Sequence, residues 1–84
     1  MDLYFLLEKE ERTILDYSKL KGRIIEKFDS QQNFSKSLGI SERALSGKLN
    51  DKISWKQKEI EKASTLLEID RADIGLYFFN IKVQ

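Results

Sequence analysis

The chain contains no cysteine, no histidine and no proline. Without cysteine there is no disulfide framework, no thiolate metal site and no cysteine nucleophile. Without histidine the commonest general base is missing, and zinc chemistry loses its other usual ligand. No phosphate-cradling glycine loop is present. The carboxylates of Glu59, Glu61 and Glu68 read as a solvated helix surface rather than an acid–base pair. The expectation is a protein that is not an enzyme, with no catalytic residue, metal, cofactor or small-molecule substrate. The longest apolar run near the N-terminus, Leu3 to Leu7, is far short of the roughly 20 residues that span a bilayer. The N-terminus also lacks the basic start of a signal peptide. The sequence therefore predicts a cytoplasmic protein without a membrane partner.

What is present suits a small helical domain. The 84 residues, 40% hydrophobic and 35% charged, suffice for one modest core. With no proline and four glycines, little interrupts helix. The net charge of +1 conceals a gradient. Residues 1–16 carry five acidic and two basic side chains, residues 17–62 eleven basic and six acidic, and residues 63–84 three acidic and two basic. A basic centre suits phosphate attraction, and it also suits a lysine-rich solvated surface.

Hydrophobic spacing predicts five helices. The first runs from about Tyr17 to Phe28, with Leu20, Ile24, Ile25 and Phe28 inward. The second, about Ser30 to Leu38, buries Phe34 and Leu38; Asp29 with Gln32 resembles a capping box. The third, about Glu42 to Asn50, is capped by Ser41 and buries Leu45 and Leu49. The fourth opens at Ser54, with Gln57 completing a capping box, and runs to about Leu67. The fifth, about Arg71 to Phe79, follows Asp70 and buries Ile74, Tyr77 and Phe78. The tail from Asn80 alternates Ile81 and Val83 with polar residues and is weakly strand-like.

The informative stretch is Gln31 to Leu49. Two short helices meet at a tight turn containing Gly39, which is the spacing of a helix-turn-helix. Phe34, Leu38, Ile40, Leu45 and Leu49 supply a shared core. Ser35 is small where the helices cross, and Gly39 makes the bend without a Cβ clash. Gln31, Phe34, Ser35, Leu38, Gly39, Ile40, Ser41, Leu45 and Ser46 resemble the motif of the lambda repressor/Cro-like superfamily. More widely, Asp16 to Gly22, Ile40 to Arg43 and Ser54 to Gln57 make residues 16–84 resemble a family of small phage and prophage repressor-like proteins. The resemblance implies an all-α, compact five-helix lambda-repressor-like domain over residues 16–84, preceded by an N-terminal extension over residues 1–15. It also implies a bacterial host cell. The extension reads as a short helix, a frayed tail or a translated leader, with the native start at or near residue 15.

In such motifs the second helix, here about residues 42–50, lies in the major groove of an operator. The base-reading candidates are Glu42, Arg43, Ser46, Gly47 and Lys48. Arg43 offers guanine a bidentate fork worth about 1–3 kcal/mol. Glu42 can accept from cytosine or simply favour the helix N-terminus. Gly47 either permits close approach to DNA or is tolerated on an exposed face. The phosphate-contacting candidates are Gln31, Lys36, Ser41, Asn50, Lys52, Ser54, Trp55 and Lys56; the role of Gln31 is implied by the resemblance, and Trp55, whose indole N–H could donate to a phosphate, is more often a packing residue at such a position. A module this small reads few base pairs, so a homodimer on double-stranded DNA is expected. Tyr77, Phe79, Ile81 and Val83 are dimer candidates, as is the Leu3–Leu7 run. The function expected is that of a sequence-specific transcriptional regulator. The alternative is a helix-turn-helix kept as a protein-interaction module, an anti-repressor or a repressor partner.

Overall fold

The computed structural model describes residues 14–82, and all regular elements there are helical. Helix α1 spans Ser18–Phe28, α2 Gln31–Leu38, α3 Glu42–Leu49 and α4 Gln57–Leu66; a 3₁₀ turn, Arg71–Asp73, leads into α5, Ile74–Phe78. The expected five-helix architecture, with the helix-turn-helix at α2–α3, is what the chain adopts.

One core joins all five helices. Leu20 and Ile24 from α1, Phe34 and Leu38 from α2, Leu45 and Leu49 from α3, Ala63 from α4 and Phe78 from α5 are buried together with Tyr17 and Leu67. Each large aliphatic or aromatic member contributes about 1.5–3 kcal/mol by leaving water. Phe28 meets Phe34 edge-on at 5.2 Å between ring centroids, which fixes α1 against α2.

Local chemistry sets the boundaries. The chain leaves α1 through Asp29 in the left-handed region, φ 69°, whose N–H bonds Ile25 O. Ser30, not Asp29, is the cap of α2: its hydroxyl accepts from Asn33 N–H at 3.0 Å. Ile25, expected inward, is exposed, because the α1 face that meets the core is set by Leu20 and Ile24. Helix α4 starts at Gln57, three residues after Ser54. There Glu59 reaches back to accept from Lys56 N–H at 2.9 Å, which supplies half of a capping box at Lys56 in place of the box expected at Ser54 and Gln57. Before α1, Asp16 accepts from both the backbone N–H and the hydroxyl of Ser18, which holds its carboxyl below the usual range.

The strand-like tail has a counterpart at the other end of the described chain. Leu15 and Ile81 form an antiparallel bridge, Asp16 N–H donates to Asn80 O at 2.7 Å and Lys82 N–H to Ile14 O at 2.9 Å. Leu15 N–H also donates to Asp51 at 3.0 Å, tying the entry of the chain to the end of α3. No helix among the described residues is long and apolar enough to cross a membrane.

Candidate functional site

The helix-turn-helix is built as its sequence dictates. Gly39 sits at φ 87°, and its N–H and that of Ile40 both bond Ser35 O, at 2.9 and 3.1 Å, closing the end of α2. Ser35 is buried at the crossing and its hydroxyl donates to Gln32 O, so a polar atom at a tight contact is satisfied locally. Ser41 then caps α3, accepting from Ala44 N–H at 3.0 Å.

The outer face of α3 is narrower and less basic than the sequence suggests. Glu42, Arg43 and Ser46 are exposed as expected. Gly47 and Lys48 are not available. A Cβ on Gly47 would fall 2.5 Å from Cδ1 of Ile53, so this glycine makes room for the chain after α3, not for a duplex. Lys48 is 4% exposed, the one charged residue that is buried among those described. Helical spacing places it one position before the core residue Leu49, and its stem follows Leu49 inward. Its Nζ donates to Ser54 O at 3.0 Å, pairs with Glu59 at 2.8 Å and lies 5.8 Å from the centre of the Trp55 ring. This ion pair braces α3 against the start of α4. Burial pushes the Glu59 carboxyl up, but the hydrogen bonds from Lys48 and Lys56 N–H, with the charges of both lysines, outweigh it and hold the group below its ordinary range.

Of the expected phosphate contacts, Lys36, Lys52, Ser54 and Lys56 are exposed and Gln31 is half-buried at the start of α2. The hydroxyl of Ser41 is engaged as the cap. Asn50 is exposed, but its amide donates to Ser46 O at 2.9 Å and its carbonyl accepts from Lys21. Trp55 takes the packing role. It meets Phe78 edge-on at 5.1 Å, and its Nε1 is buried without a partner, so the indole does not present its N–H to a phosphate.

A second surface has a different chemistry. A groove of about 530 Å³ opens between α4 and α5, lined by Trp55, Ile60, Ile74 and Phe79 with Gln57, Glu61 and Arg71 at its polar positions. Phe79 is 57% exposed although it follows the fully buried Phe78. A smaller cavity of about 180 Å³ shares Trp55, Ile60 and Phe79 and is walled in addition by Leu15. The sequence carried one signal for this groove: two consecutive phenylalanines on a short helix cannot both face one core. That Trp55, Ile60 and Ile74 converge on the second phenylalanine depends on how α4 meets α5, which periodicity within each helix does not encode. Of the dimer candidates, Phe79 and Ile81 are exposed and Tyr77 is half-buried, with Lys19 Nζ 5.4 Å from its ring centre. Val83 and Leu3–Leu7 lie outside the described residues.

No curated protein matches this chain. Among solved structures it is similar to the modulator of repression (MOR) of the temperate bacteriophage TP901-1 from Lactococcus lactis, a solution structure. The two share 53% sequence identity with a TM-score of 0.70, over 83% of this chain and 95% of that one. The family described as a protein of unknown function, DUF739, matches residues 13–81, and this chain belongs to it.

Proposed function

We propose that this member of the DUF739 family modulates the repression of a temperate phage by binding a repressor protein, with the groove around Phe79 as its docking face. The reading comes to this chain from its similarity to a protein named a modulator of repression. The observation that carries it to a surface is the exposed Phe79 over a groove walled by Trp55, Ile60 and Ile74. An apolar, aromatic centre inside a polar rim is the anatomy of a protein interface, and aromatic anchors in pockets dominate the binding energy there. The proposed setting is the bacterial cytoplasm of the phage's host, and no catalytic role is proposed.

Direct reading of DNA is the second reading, supported by the α2–α3 geometry and the exposed guanidinium of Arg43. Against it stands the composition of the α3 surface. With Lys48 turned inward and Gly47 covered, Arg43 stands beside Glu42 and α3 itself offers no net positive charge, leaving the exposed Lys36, Lys52 and Lys56 only at its flanks. A nucleic-acid footprint needs a basic stripe.

Titration of the cognate phage repressor with this protein, in the absence of DNA, separates the two readings. Binding is expected without operator, with Phe79→Ala weakening it about tenfold or more, the loss of a mid-sized hot spot. Arg43→Ala is expected to bind as the wild type does. If the protein ignores the repressor and instead binds operator DNA with a steep salt dependence that Arg43→Ala abolishes, the docking reading is wrong.

A further inference from the structure

We propose that the Phe79 groove is one end of a longer trough, and that the part of the repressor filling it is a two-turn amphipathic helix with a basic and an acidic residue side by side at its waist. The proposal rests on the docking reading above and specifies what that surface recognises. Farther along α4 lies a second cavity of about 270 Å³, whose walls include Thr65 and Ile69. Glu61, Arg71 and Ile74 wall both cavities, so the two run into one another. From Gln57 in the first to Thr65 in the second, α4 rises about 12 Å. Each end offers an apolar surface, Trp55 and Phe79 at the first and Ile69 at the second. The waist is charged. Glu61 and Arg71 are both exposed, and neither side chain has a hydrogen bond or ion pair among the described residues.

Hydrogen bonding selects the form of the occupant. The walls are helices, whose backbone groups are bonded within the helix. An extended segment pressed between them would find no ladder to join and would bury its own N–H and C=O groups unpaired. A helix satisfies those groups itself. Seven residues of helix rise about 10.5 Å, so apolar anchors at positions i and i+7 reach both ends of the trough. Positions i+3 and i+4 fall between the anchors, about 60° to one side of the first and about 40° to the other. One of them therefore turns to Glu61 and is basic, and the other turns to Arg71 and is acidic.

Titration of the isotope-labelled 84-residue chain with the cognate phage repressor, followed by NMR, tests the proposal. Trp55 is the one tryptophan, so its indole resonance reports on the first end, and the methyl groups of Thr65 and Ile69 report on the second. Both ends are expected to shift together. Repressor residues with NOEs to Trp55 and to Ile69 are expected to lie seven apart and to carry helical Cα shifts. Glu61→Arg and Arg71→Glu are each expected to weaken binding about fivefold or more, although they change the net charge in opposite directions. If one tightens binding and the other weakens it, net charge steers the partner and the paired waist is wrong. Shifts confined to the Trp55 end, or contacts from extended repressor residues three or four apart, overturn the proposal and leave the docking reading standing. A repressor that does not bind, or binds without moving Trp55, overturns both. Shifts at both ends that grow with concentration in the protein alone also overturn the proposal, because a second copy would then fill the trough.

Discussion

Lys48 shows how a single side chain redirects a functional reading. Its sequence position marks it as a surface lysine on the reading helix, yet its ammonium is enclosed by Ser54 O, Glu59 and the Trp55 ring. Sequence offers little against the surface reading, because a long lysine stem can follow either face of a helix. Removing one member of such a pair costs more than replacing both. Lys48→Met is expected to lower the unfolding free energy by about 3 kcal/mol, the low end for a largely buried pair, whereas Lys48→Met/Glu59→Met is expected to recover most of that loss in urea titration. The pair also gives an acid dependence of definite sign. The folded-state carboxyl of Glu59 lies below its usual value of 4.5. Its contribution is therefore complete above that value and is lost as the pH falls through the lower folded-state value. Wild-type stability is expected to decline below pH 4.5 more steeply than that of Lys48→Met, in which Glu59 has lost its strongest partner. Parallel acid profiles would contradict this.

At the scale of the elements, most of the helix-turn-helix was legible from the sequence. Gly39 is the only glycine with positive φ among the described residues, and it stands at the turn. Ser41 caps α3 as a serine before a helical run should. Ser41→Ala is expected to cost about 1 kcal/mol without altering the groove. Boundaries were less legible where the sequence offers two candidate starts. Ser54 resembles a cap, but the helix starts three residues later, where Glu59 accepts from Lys56 N–H, and Ser54 instead offers its backbone carbonyl to Lys48. Gly47 teaches a related lesson. A glycine inside a helix costs roughly 1 kcal/mol against alanine, and Ile53, six residues on, explains why it is there. Since the obstructing atom is the tip of a half-exposed isoleucine side chain, Gly47→Ala alone is expected to be near neutral, the gain in propensity offset by displacement of Ile53. Gly47→Ala in an Ile53→Ala background is expected to be more stable than Ile53→Ala by about 1 kcal/mol. Thermal melts of the four proteins decide it, and equal effects of Gly47→Ala in both backgrounds would remove the packing explanation.

Over the described residues, two faces differ in their surface chemistry. The α3 face is the outer surface of the helix-turn-helix and presents Glu42 beside Arg43. The α4–α5 face carries an exposed phenylalanine in an aromatic groove. The first face is local in sequence, eight residues of one helix, and so its position was readable from spacing alone. The second is assembled from residues 55, 60, 74 and 79, and only the docking of α5 on the rest brings them together. The same division explains why a reading based on motif favours DNA while the assembled surface favours a protein. A fold does not fix its function, and the residues that turn outward decide between its uses. A protein partner held by apolar contacts also predicts weak salt dependence, in contrast to the counterion release that accompanies DNA binding.

The most direct test is calorimetric titration of the cognate repressor with the wild type, Phe79→Ala and Arg43→Ala, with no DNA in the cell. Binding by the wild type, retained in Arg43→Ala and weakened about tenfold or more in Phe79→Ala, is the result predicted. Absence of binding until operator DNA is added, with affinity then lost in Arg43→Ala and kept in Phe79→Ala, would contradict the account and return the function to the α3 face.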